Sequence, residues 1–103
     1  MVLAKELIEQ KLSSFKFLIA SKITNEENKY FCDLMEYDVD KIICFYNDSI
    51  KPYYQTFGME TIIRSFLTYL ELDKEDDELI NKIKKYFEFF TEVIQQLEEN
   101  EKL

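Results

Sequence analysis

At 103 residues and 12.5 kDa the chain has the length of one ordinary domain, enough to bury roughly two thirds of the surface its unfolded form exposes. A net charge of −8, no histidine and a single glycine exclude a good deal at once. Direct nucleic-acid binding requires basic side chains on the phosphates, Ser-His-Asp and Cys-His catalysis require an imidazole, and a phosphate-cradling loop requires several glycines.

With 47% hydrophobic and 33% charged residues the composition argues against disorder. One glycine and one proline leave little turn chemistry for a multi-stranded sheet. The fold class predicted is therefore all-α: a small antiparallel bundle of four to five helices, one domain over residues 1–103, with the last few residues frayed.

The first helix is predicted from Val2 to about Ala20, where Leu3, Ala4, Leu7, Ile8, Leu12, Phe15, Leu18 and Ile19 recur at helical spacing. Lys11 falls inside that arc, which fits a stem lying along the core edge with its ammonium in water. Thr24 and Glu27 have capping-box spacing and predict the start of a second helix. Its stripe of Phe31, Leu34 and Met35 runs on through Val39, Ile42, Phe45 and Tyr46, except that Asp38 interrupts it. A break with Asp38 as N-cap resolves the conflict and gives five helices; the alternative is an unbroken helix with Asp38 as a functional carboxylate on its apolar face.

Asn47, Asp48, Ser49 and Pro52 are expected to end the helical pattern, making the stretch to Gly58 the one interior connection. Met59, Ile62, Ile63, Phe66, Leu67 and Leu70 predict the next helix. Leu79, Ile80, Ile83, Tyr86, Phe87, Phe90, Val93, Ile94 and Leu97 predict the last, capped by Asp73 or Asp76. The acidic run Glu75 to Glu78 then sits where the helix dipole favours negative charge.

Acidity is unevenly spread. Residues 1–23 carry four basic and two acidic groups, 24–50 two basic and seven acidic, 51–72 two of each, and 73–103 five basic and ten acidic. On a helical wheel Glu26, Asp33, Glu36 and Asp40 lie opposite the apolar stripe of the second helix, and Glu88, Glu92 and Glu99 do so on the last. Several large side chains fall outside the stripes: Phe17, Tyr30, Tyr37, Tyr69, Leu72 and Phe89, with Tyr53, Tyr54 and Phe57 in the connection. Tyrosine beside carboxylate is an interface-like composition.

Cys32 and Cys44 are too few for a closed zinc site without histidine and are read as partly buried structural thiols, a disulfide between them being unforced. Asp38-Val-Asp40 and Asp73 to Asp77 lack the glycine and the distal glutamate of a calcium loop. The one serious enzyme candidate is a magnesium-dependent all-α nucleotide pyrophosphohydrolase, which holds its metal on paired Glu-x-x-Glu and Glu-x-x-Asp helices. Glu6/Glu9 and Glu75/Glu78 match half of that pattern, whereas Glu36 is followed by Val39 at the required offset.

The expectation is thus a non-enzyme with no catalytic residue, metal or cofactor: a small acidic inhibitor or regulator that occupies a basic, nucleic-acid-handling site on a target protein. Size, charge and helix content are those of immunity proteins, antitoxins, anti-restriction and anti-CRISPR proteins, an analogy without a family motif. The partner-binding residues expected are Glu26, Tyr30, Asp33, Glu36, Tyr37, Asp40, Tyr53 and Tyr54. The partner is a protein with a basic surface, not nucleic acid or membrane. The alternative is a structural subunit that forms a homodimer or joins a larger complex. With no apolar run of about 18 residues and an amphipathic start, the chain is read as soluble and cytoplasmic.

Overall fold

The computed structural model describes residues 4–101. Its elements are α1 (Ala4–Lys22), α2 (Lys29–Met35), α3 (Val39–Phe45), a π-helical turn (Tyr46–Ile50), α4 (Lys51–Phe57), α5 (Met59–Tyr69) and α6 (Asp77–Glu101). No strand occurs among the described residues. Taken with the π turn, α3 and α4 form one continuous helix, so that the described residues make an all-α bundle of five helices. Among the described residues no helix is long and apolar enough to cross a membrane.

In α1 the buried side chains are Ile8, Leu12, Phe15 and Ile19, a narrower stripe than predicted, since Leu7 remains 37% exposed. Val2 and Leu3 lie outside the described residues. Lys11 behaves as expected of a core-edge stem, its ammonium 5.2 Å from the centroid of the Phe89 ring.

The start of α2 differs from prediction. Instead of a Thr24–Glu27 box, Asn28 is the N-cap, its Oδ1 accepting from the Phe31 N–H at 3.0 Å. The Glu27 N–H donates instead to Asn25 Oδ1 at 3.2 Å, in a turn that precedes the helix. An asparagine cap has an advantage over Thr24: its Nδ2 also donates to the Tyr69 carbonyl at 3.2 Å, tying α2 to the end of α5.

Of the two readings of Asp38 the structure shows the break. Asp38 has extended backbone (φ −107°, ψ −173°), and its carboxylate accepts from the Lys41 N–H at 2.8 Å. Asp38→Ala is expected to destabilise the fold by about 1 kcal/mol, read from the urea midpoint at unchanged m-value. The same link is held from α1, where Lys16 Nζ donates to the carbonyls of Met35, at 3.1 Å, and Tyr37.

Asn47 to Pro52 do not end the helix, contrary to the sequence-based expectation. Phe45, Tyr46, Ile50 and Lys51 all keep right-handed helical dihedrals, and the Lys51 N–H donates to the Tyr46 carbonyl, five residues back. Proline in a regular helix removes a hydrogen bond and crowds the carbonyl four residues earlier. The wider π turn relieves that crowding and lets the helix run on through Pro52, which directly follows the turn. The true break is Gly58 (φ +85°, ψ 159°), a conformation open essentially to glycine alone.

At the end of α5, Leu72 N–H donates to the Leu67 carbonyl at 2.9 Å and Glu71 N–H to the Thr68 carbonyl at 3.1 Å, a Schellman motif with Glu71 at left-handed φ +61°. Asp76 then caps α6, accepting from the Leu79 N–H at 3.1 Å, while Asp73 accepts from Glu75 in the preceding turn. Most of the acidic run is accounted for by this capping and by ion pairs of Glu75 with Arg64 and of Glu78 with Lys82.

One cluster forms the core. Phe15 stands at its centre, ringed by Phe66, Tyr86, Phe87 and Phe90 at centroid distances of 5.5 to 6.2 Å. α1 packs on α6 and α3, and α5 packs on α6 and α4. Every apolar position predicted for the last helix, from Leu79 to Leu97, is buried or half-buried.

Candidate functional site

Six aromatic side chains, five of them outside the predicted stripes and the sixth, Phe45, within one, meet in three pairs. Tyr30 of α2 lies 5.0 Å from Tyr69 of α5, Tyr37 lies 5.9 Å from Phe45 of α3, and Tyr53 stacks on Phe57 within α4 at 6.0 Å. All six line one groove of about 800 Å³, floored by Phe15, Leu34, Ile42, Ile62, Phe66 and Leu70. The polar groups that reach it are Asp33 and the hydroxyls of Ser49, Thr61 and Ser65, besides the phenols.

The long wall of this groove is a direct product of the π turn. Phe45, Ser49, Tyr53 and Phe57 are spaced four residues apart and all face the groove. With about 3.6 residues per turn, a regular α-helix would rotate such a row steadily off one face. A turn closed five residues back uses more residues per revolution and brings the row back toward line. Tyr30, Tyr53, Phe57 and Tyr69 remain between 52% and 58% exposed, an apolar surface that the packing of the bundle does not require.

At one end the groove opens into a second depression of about 420 Å³, lined by Asp33, Glu36, Tyr37, Lys41, Cys44, Phe45, Asp48 and Ser49. Asp33, Tyr37, Phe45 and Ser49 are common to both. Three carboxylates against one ammonium make this end anionic. Partial burial, and secondarily the charge of Asp33, push the Tyr37 hydroxyl above its ordinary range.

Of the residues predicted to bind a partner, the structure brings Tyr30, Asp33, Tyr37 and Tyr53 together in the groove and places Glu36 in the adjoining depression. Glu26, Asp40 and Tyr54 stand apart. Glu26 belongs to the turn before α2, Asp40 faces α1 through Lys5 at 3.8 Å, and Tyr54 is exposed on α4 away from the groove lining. The single acidic face drawn across Glu26, Asp33, Glu36 and Asp40 does not form, because the Asn28 and Asp38 caps divide its residues among a turn, α2 and α3.

Phe45, Ser49, Phe57 and Tyr69 complete the site and were not among the residues predicted for it. The off-stripe positions of Phe57 and Tyr69 were a usable signal; Phe45 read as core and Ser49 as a helix terminator. Cys32 and Cys44 are free and both exposed, not partly buried as expected, because each falls on the solvent side of a short helix whose inner face is set by Leu34 or Ile42. Among the described residues no group of three or more acids or thiols is arranged to hold a metal ion. No family model, curated protein or solved structure matches the chain.

Proposed function

We propose that the chain is a non-catalytic protein-binding regulator whose contact surface is the aromatic groove with its anionic end, presented to a basic surface on a target protein. The observation that supports this reading most directly is the convergence of two exposed aromatic pairs and one half-buried pair on one apolar floor beside Asp33, Glu36 and Asp48. Tyrosine and phenylalanine contribute large contact areas with few rotatable bonds, and such residues dominate binding energy where they are desolvated together. The carboxylates steer and select a basic partner more than they tighten the complex. An inhibitor of the immunity, antitoxin, anti-restriction or anti-CRISPR type would have these properties, the analogy resting on size, charge and helix content.

Tyr30→Ala combined with Tyr53→Ala is the decisive variant, because both side chains are half exposed and neither belongs to the core cluster. The melting temperature should stay within a few degrees of the parent. Capture of a basic protein from native extract should be lost in this variant and should weaken in the parent as salt rises. Undiminished capture would sink the assignment of the groove. Sedimentation showing a dimer that the same substitutions dissolve would favour the structural-subunit reading instead.

A further inference from the structure

The geometry points to an amphipathic helix of a partner protein as the occupant of the groove, with an arginine from that helix in the depression formed by Asp33, Glu36 and Asp48. This inference rests on the groove being a partner surface and specifies what fills it. Two juxtaposed features carry it: an apolar trough long enough for several anchors, and a cluster of carboxylates at one end of it.

Length and shape select the helix. The wall from Phe45 to Phe57 covers thirteen residues of helix, a rise of roughly 18 Å, or a little over three turns. A docking helix of the same length offers apolar anchors at i, i+4, i+7 and i+11 along one face, matching a continuous apolar floor. Strand addition has no counterpart here, since no sheet edge exists among the described residues.

Charge selects the arginine. Asp33 makes no salt bridge within the described residues, and neither do Glu36 and Asp48. In the free protein water solvates these groups. An apolar segment laid over the groove strips that water from Asp33, and a carboxylate desolvated without a counter-charge opposes binding. An occupant that brings a cation escapes this penalty, whereas one that brings an acid is rejected. Arginine suits the place better than lysine: its planar guanidinium can meet carboxylates with two parallel hydrogen bonds while stacking on the rings of Tyr37 or Phe45 that line the same junction.

Selection of displayed random peptides of about 16 residues against the full chain tests this directly. Enriched peptides should carry large apolar residues at helical spacing with arginine near one end of the stripe. Their affinity should fall about tenfold on Asp33→Asn, and selection against a variant combining Asp33→Lys, Glu36→Lys and Asp48→Lys should enrich acidic residues instead. Peptides that bind the groove, as judged by loss with Tyr30→Ala and Tyr53→Ala, but contain no basic residue would overturn the arginine and leave the groove an interface. Enriched peptides with proline-rich or alternating patterns would overturn the helix. If nothing enriches, the inference fails; if capture also survives the tyrosine substitutions, the groove reading fails with it. Occupation of the groove by a second copy, seen as a dimer in sedimentation, would overturn the assignment of a partner helix.

Discussion

Replacing Phe15 by alanine is expected to cost about 3 to 5 kcal/mol, a large share of the stability of a small domain that has about 5 to 15 kcal/mol in all. Phe15 is 1% exposed and touches four other rings. Those rings belong to α5 and α6 and are themselves fixed by their packing, so the vacated space collapses poorly, and the cavity adds to the lost burial. Phe17→Ala is the matched control: the same residue type, two positions along the same helix, 78% exposed. Its effect should stay within about 0.5 kcal/mol. Urea denaturation of both variants checks the contrast, and equal losses would show that α1 does not dock through the face containing Ile8, Leu12, Phe15 and Ile19. Because Phe15 also floors the groove, the folded remainder of Phe15→Ala should bind partners less well than Phe17→Ala does.

That contrast also shows what was legible in the sequence. Helical periodicity separated Phe15 from Phe17 without a structure, since one falls on the stripe of Ile8, Leu12 and Ile19 and the other opposite it. The break at Asp38 was legible for a similar reason: a carboxylate inside an apolar arc is stable there chiefly as a cap. The helix through Pro52 was not. A π turn has no composition of its own, and the run of Asn47, Asp48, Ser49 and Pro52 carries every mark of a terminator. With residues 51–57 read as a connection, Tyr53 and Phe57 were loose aromatics, and nothing aligned them with Phe45 and Ser49. Similarly, capping-box spacing at Thr24 and Glu27 was a local signal, whereas the preference for Asn28 comes from a carbonyl 41 residues away, which no window of sequence contains.

Asn28→Ala is the second substitution expected to have a large effect, about 2 to 4 kcal/mol, because two losses coincide: the cap of α2 and the donor to the Tyr69 carbonyl. The side chain is 8% exposed, so water replaces it imperfectly. Asn28→Asp separates the two terms, keeping an acceptor for the Phe31 N–H while removing the donor. It also sets a second carboxylate beside Glu71. In the parent the Asn25 amide, and then that of Asn28, hold the Glu71 carboxyl below its ordinary value of 4.5. A depressed native value means that Glu71 favours the fold above its ordinary pKa and ceases to do so as pH falls through the depressed one. In Asn28→Asp the added charge should push Glu71 back up, so the variant should be weakest near neutrality and recover toward the parent as the solution is acidified. Asn28→Ala should show no such recovery. Both should loosen the Tyr30–Tyr69 pair, because Asn28, two residues before Tyr30, donates to the Tyr69 carbonyl. Partner binding should therefore fall in each variant even at temperatures where it is fully folded. If Asn28→Ala is as stable as the parent and binds as well, the end of the groove is held by the packing of Leu34 and Leu70 and not by this amide.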